Sequence, residues 1–239
     1  MISIDSVRKK IDSAFEPERL KEVLVSVNSP GGSPVQCDLI TSYLHMKAAK
    51  TKVPVTVFVE DIAASGGYWI ACSGHEVFAN KSSIIGSLGV IYAGLGFTEL
   101  IKKIGVERRL LTAGGNKALM DPLSPLQDDH VKIVKKMLAD THQVFIDHVK
   151  KHRGEKLKGS DEELFSGAIW TGEAALNHGL IDGIDNLEDY IQRKYGEEVK
   201  INRLKSKYEE FAEMFGARGS PSLQEILTRE KQGSSLKFE

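Results

Sequence analysis

Two short apolar runs, Glu22-Val-Leu-Val-Ser-Val27 and Pro54-Val-Thr-Val-Phe-Val59, constrain this chain more than any other feature. Both are rich in β-branched residues and far too short for a buried helix, so they read as strands covered on both faces. Between them the segment starting at Pro34 carries Val35, Leu39, Ile40, Tyr43 and Leu44 and reads as a helix, with proline at its first turn. Strand, helix, strand within 40 residues predicts an α/β fold around a parallel, buried sheet.

The rest of the chain extends this pattern. Ile4, Val7, Ile11 and Phe15 predict an opening amphipathic helix. Further strands are expected at 76–79, 88–92, 106–112 and, last, 199–204, with a short helix over 97–103. Val131, Val134, Leu138, Phe145 and Val149 mark a long helix over 126–151 that Gly154 helps end. Short helices are expected at 161–165 and 172–177, and another runs to Tyr195. The predicted organisation is one catalytic-sized domain over 1–204 and a helical, then loose and polar, extension over 205–239.

Composition excludes several functions. The 32 basic residues are balanced by 33 acidic ones, so no excess charge points at nucleic acid or an anionic membrane. Two cysteines, Cys37 and Cys72, build no disulfide framework, and no Cys/His cluster has zinc spacing; both read as buried. The uncharged window 82–98 is 17 residues long with four glycines, which suits buried strands and turns better than a bilayer span. No leader or anchor is visible in the sequence, which reads as soluble, and no cofactor is expected.

The loops after the two strands carry the chemistry. Asn28-Ser-Pro-Gly-Gly-Ser33 follows the first, and Asp61-Ile-Ala-Ala-Ser-Gly-Gly-Tyr68 follows the second. Ser65 is thereby exposed where backbone N–H groups converge, the arrangement of a nucleophile beside an oxyanion hole, with Gly32 and Gly66 as donors. A serine needs a general base. His75 is ten residues on, and His130, His142, His148 and His152 lie along the long helix, where solvated or packed roles suit them better. Lys117, in the glycine-rich Thr112-Ala-Gly-Gly-Asn-Lys-Ala-Leu-Met120, is the better candidate. Tyr68 and Trp69 are expected to pack.

These segments, together with Ile85-Gly-Ser-Leu-Gly-Val90, Trp170-Thr-Gly-Glu-Ala-Ala175 and Gly179-Leu-Ile-Asp182, resemble the signal peptide peptidase A family of serine endopeptidases. The resemblance spans roughly residues 20 to 185. It implies a Clp protease/crotonase-like repeated β-β-α superhelix with a Ser65/Lys117 dyad. Lys117 acts there as a neutral amine, which requires a dry, apolar pocket. Ser87 orients that amine, and Gly31, Ser33 and Gly89 bind an extended peptide between the Gly31-Gly32 loop and the 88–92 segment. Substrates are unfolded or membrane-released peptides such as remnant signal peptides. The family also implies a homo-oligomeric ring or dome and association with membranes. Its usual anchor and first strand are not seen ahead of the opening helix. Rival readings are a Clp-type Ser/His/Asp protease, for which Val90 stands where the histidine belongs, a crotonase-like acyl-CoA enzyme, and a silent scaffold of the same fold.

Overall fold

A computed structural model describes residues 3–204, so the expected extension over 205–239 lies outside the described residues. Residues 3–199 lie in one compact unit. Its chain opens with α1 (Ile4–Ala14), whose Ile4 and Ile11 are buried, and passes into β1 (Val23–Ser29). Helix α2 (Pro34–Thr51) starts on the expected proline and stops at Lys52, which turns into the left-handed region at φ 57°. Its buried face is Cys37, Ile40, Thr41, Leu44 and Ala48, while Val35 and Leu39, counted above as apolar helix positions, are 64% and 43% exposed. Tyr43 donates from its hydroxyl to Asp12 at 2.6 Å and ties α2 to α1.

The centre of the sheet is β2 (Val55–Ala64), buried along most of its length as a strand flanked on both edges must be. On one edge it pairs in parallel with β1, Val23 opposite Val55 through Ser29 opposite Ala63, with an irregularity between Val27 and Ser29. The other edge is forked. Thr56 to Val59 pair with β3 (Glu76–Ala79), and Ile62 to Ala64 pair with β4 (Ile84–Gly86), both in parallel. At the gap, the buried Ser83 hydroxyl donates to the Val59 carbonyl at 3.3 Å and to that of Glu60.

Short strands complete the sheet: β5 (Ile169–Thr171) runs antiparallel to β4, and β6 (Gly183–Ile184) parallel to β3. The helices are α3 (Gly66–Ala71), α4 (Thr98–Lys103), α5 (Asp128–Arg153), α6 (Asp161–Leu164), α7 (Gly172–Asn177) and α8 (Leu187–Tyr195). Helix α5 buries Val134, Phe145, Val149 and the guanidinium of Arg153, and ends where Gly154 takes φ 48°. Arg153 is held by Gly179 and Asp182, at 2.9 and 2.7 Å. This is the Clp protease/crotonase-like α/β fold that the motifs imply.

Three expected strands do not form. Residues 88–92 leave the sheet because Gly86 and Ser87, at φ 118° and 53°, break the extended path immediately after β4. The 106–112 stretch has β-forming residues but no neighbouring strand among the described residues, and Val106 and Leu111 are 51% and 99% exposed. Residues 201–204 also have no regular structure. In each case β propensity finds no ladder to join among the described residues.

Candidate active site

Ser65 terminates β2 and caps the start of α3, with φ 50° and ψ −121°. A side chain in that region costs about 1–3 kcal/mol and persists only where both flanks over-determine it. Here the flanks are a central strand and a helix in which every residue is buried. The Ser65 N–H donates to the Gly86 carbonyl at 2.8 Å, and the Ser65 carbonyl accepts from the Trp69 N–H at 3.0 Å. Five described non-glycine residues have positive φ, and three of them, Ser65, Ser87 and Met120, fall in the segments singled out by sequence. Strain is concentrated in the candidate site.

The structure brings the two glycine loops together. A Cβ on Gly31, itself at φ 138°, would sit 3.1 Å from the Ser65 Cβ, and one on Gly66 would sit 2.9 Å from the Gly32 nitrogen and 2.7 Å from the Cys37 sulfur. Only bare backbone fits at this seam. Among the described residues neither the Gly32 nor the Gly66 N–H donates a hydrogen bond, which leaves two adjacent donors open beside the serine. Ser33 starts α2 through its carbonyl, which accepts from the Cys37 N–H at 3.0 Å.

The 86–89 turn forms the opposite wall. The Ser87 N–H donates to the Ala168 carbonyl at 2.6 Å, and the Gly89 N–H to the Ser87 carbonyl at 2.9 Å. Gly89 packs on Gly167, where a Cβ would come within 3.3 Å of the Gly167 Cα. Leu88 is fully buried, Gly89 and Val90 are half-buried, and Ile91 and Tyr92 face solvent. The segment lies open beside the site, though it is not the strand the sequence suggests.

Lys117 is placed differently from expectation. It lies in a turn where its N–H donates to the Gly114 carbonyl at 3.1 Å, its side chain is exposed, and its amine meets no described partner. Among the described residues no dry pocket surrounds the amine, since residues 91–117 are almost wholly exposed.

The histidines are accounted for otherwise. The His75 N–H donates to the Val55 carbonyl at 2.8 Å, which ties it to the opposite end of β2 from Ser65. Two others, which sequence reasoning set aside, reach the site's backbone. The Nε2–H of His142 donates to the Leu88 carbonyl at 2.9 Å, and that of His148 to the Trp69 carbonyl at 3.0 Å. Burial pulls the His148 pKa down, and it pulls His152 down to about 4 with help from His148, His45 and Lys151. Trp69 stacks between Phe145 and His148, with centroids 5.0 and 4.4 Å away, and the Tyr68 hydroxyl donates to the Leu180 carbonyl at 2.7 Å, so both aromatics pack as expected. Burial pushes both cysteine thiols up, which leaves them inert. Among the described residues no group of His, Cys, Asp and Glu is arranged to hold a metal ion.

A strained serine at the carboxyl end of a parallel strand, facing open glycine amides, places the chain in the Clp protease and crotonase class. The sequence profile of peptidase family S49 matches residues 47–202, which include Ser65, Ser87, Gly89 and Lys117 but not the Gly31-Gly32 loop. The chain belongs to peptidase family S49, as its resemblance to the signal peptide peptidase A enzymes implied. It is 28% identical over 234 residues to Protease 4 of Haemophilus influenzae, covering 96% of this chain and 37% of that protein. It is 30% identical over 191 residues to a chloroplastic serine protease SPPA of Arabidopsis thaliana, covering 80% and 28%. A Brucella melitensis protein named Na(+)/H(+) antiporter NhaA is 45% identical over 203 residues, covering 85% and 27%. The chain thus spans about a quarter to two-fifths of the length of these relatives. None of its described helices is long and apolar enough to cross a membrane.

Proposed function

We propose that the chain is a serine endopeptidase in which Ser65 is the nucleophile and Lys117 the general base. The observation that carries this reading is the seam between Gly31-Gly32 and Ser65-Gly66, where a strained serine faces two unused backbone donors. The Ser65 Oγ attacks the scissile carbonyl carbon while its proton passes to the Lys117 Nζ. The oxyanion accepts hydrogen bonds from the Gly32 and Gly66 N–H groups. Collapse expels the amine, which takes the proton from Lys117, and water then hydrolyses the Ser65 ester by the same route. Ser87 orients the lysine, and an extended peptide lies along Gly31, Ser33 and Gly89 by backbone pairing, which favours unfolded peptides such as membrane-released signal peptide remnants.

A second copy of the chain supplies the missing cover for Lys117. The 88–126 stretch presents Ile91, Leu95, Leu111 and Leu126 at 85%, 73%, 99% and 68% exposure, a density of apolar surface that a soluble monomer rarely carries. Packing this stretch against a neighbour in a ring or dome dries the lysine and completes the site. The test is hydrolysis of a fluorogenic peptide, with serine-reactive probe labelling, by wild type, Ser65→Ala and Lys117→Ala. Both variants are expected to fold and to lose activity. Substantial turnover by either one refutes the dyad.

A further inference from the structure

We propose that helix α5 is the positioning element of the site and that His142 and His148 are the residues through which it acts; the proposal rests on Ser65 being the nucleophile. The basis is a closed path of hydrogen bonds that starts and ends on α5. The His142 Nε2–H donates to the Leu88 carbonyl at 2.9 Å. Two residues earlier, the Gly86 carbonyl accepts from the Ser65 N–H at 2.8 Å. The Ser65 carbonyl accepts from the Trp69 N–H at 3.0 Å, and the Trp69 carbonyl accepts from the His148 Nε2–H at 3.0 Å. The nucleophile turn and the Ser87 turn, which come from different strands, are therefore referred to one rigid helix.

Each contact fixes something the site needs. The Leu88–Gly89 peptide is held at both ends, its carbonyl by His142 and its N–H by the Ser87 carbonyl at 2.9 Å. That γ-like turn sets where the Ser87 side chain leaves the backbone, at a φ of 53° that only anchoring sustains. His148 holds the far end of α3 with its ring stacked on Trp69 at 4.4 Å and 23°. Because a carbonyl can only accept, both rings carry hydrogen on Nε2, and both are half-buried. Neither ring touches the reacting atoms, so neither is a catalytic residue.

The test uses the full 239-residue chain with an internally quenched peptide of small and apolar residues, a fluorophosphonate probe for Ser65, and thermal melting. His142→Leu removes the donor, His142→Gln restores an N–H at the same reach, and His142→Asn keeps polarity without reach. His148→Phe keeps the stack and removes only the hydrogen bond. The expected result is a roughly tenfold fall in kcat for His142→Leu, His142→Asn and His148→Phe, with KM within twofold, and recovery in His142→Gln; a tenfold loss corresponds to about 1.4 kcal/mol, the scale of one such bond. The double variant His142→Leu/His148→Phe is expected to lose less than the product of the singles, since both act on one path. If His142→Leu is unfolded, the folded His142→Asn and His142→Gln pair decides the question. Equal kcat in that pair overturns the proposal even if the probe labels wild type at Ser65. A wild type that the probe does not label at Ser65 overturns the nucleophile reading and the positioning role with it.

Discussion

Gly66→Ala is the sharpest single test of the seam between the two glycine loops. The added methyl would sit 2.7 Å from the Cys37 sulfur and 2.9 Å from the Gly32 nitrogen, where ordinary contacts begin near 3.4 Å. The sulfur belongs to a short, fully buried side chain and the nitrogen to backbone, so neither can swing aside. Relief requires Gly32 to retreat by about 0.5 Å and the α2 side by about 0.7 Å. Overpacking of this kind costs about 1–3 kcal/mol, which for a chain of this size lowers Tm by roughly 5 °C. The retreat also moves an oxyanion donor. A 1 Å misplacement costs about a hundredfold, so half of that costs about tenfold in kcat. The measurements are peptide hydrolysis normalised to the fraction of Ser65 that reacts with the probe, and a thermal melt. Adding Cys37→Ala removes the sulfur contact but not the Gly32 contact, and is expected to recover part of the Tm and none of the kcat. Gly96→Ala, with nothing within 4 Å of the new methyl, is the neutral control. A Gly66→Ala protein within twofold of wild-type kcat and within 1 °C of its Tm would refute both the packing argument and the oxyanion assignment.

Stability is expected to fall as pH drops from about 6.5 to 4, because His152 titrates near 6.5 unfolded but at about 4 when folded, lowered first by burial and then by His148, His45 and Lys151. The unfolded chain binds that proton first, so stability is fully present above 6.5 and levels off below 4. The full shift is worth about 3 kcal/mol, and solvent at the half-buried ring reduces this to about 1–2 kcal/mol. Urea melts across this range check the slope, which His152→Leu should flatten. Arg153→Met leaves Asp182 and the Gly179 carbonyl without their buried partner and is expected to cost about 3–5 kcal/mol, read as a Tm loss near 10 °C. Ile91→Asp with Leu111→Asp should leave the monomer folded, shift sedimentation toward it, and abolish activity. Activity that persists in the monomer contradicts the need for a neighbour over Lys117.

The parts of the molecule that were legible in the sequence are those decided locally. The β-branched runs form β1 and the centre of β2, and Pro34 starts α2, because burial on both faces and a fixed φ act within a few residues. The turn at Ser65 was legible for a similar reason: a serine followed by two glycines at a strand end marks the switch from β2 to α3. Residues 88–92 and 106–112 misled because a strand needs a partner, and side-chain preference says nothing about whether one arrives. His142 and His148 were passed over since their partners are 54 and 79 residues away and are backbone carbonyls, which leave no mark in the sequence. Lys117 was expected in a dry pocket, and among the described residues none covers it, because cover for an exposed turn is a matter of distant surface that a local motif does not record.

The forked edge of β2 gives the sheet two mechanical compartments. Thr56 to Val59 are stitched to β3 in the main core, while Ile62 to Ala64 and the amide of Ser65 are stitched to β4. The Asn80–Ser83 turn carries the chain across the break on that edge, and the Ser83 hydroxyl ties it to the Val59 and Glu60 carbonyls. The upper part of β2 shares its ladder with β4 and the lower part with β3, and β1 pairs with both along the other edge. Amide exchange should reveal the two arms as separate classes, the lower one exchanging only through global unfolding and the upper one also through local opening. Ser65 follows directly on the arm whose edge partner is β4, so its backbone position depends on that short strand more than on the main ladder.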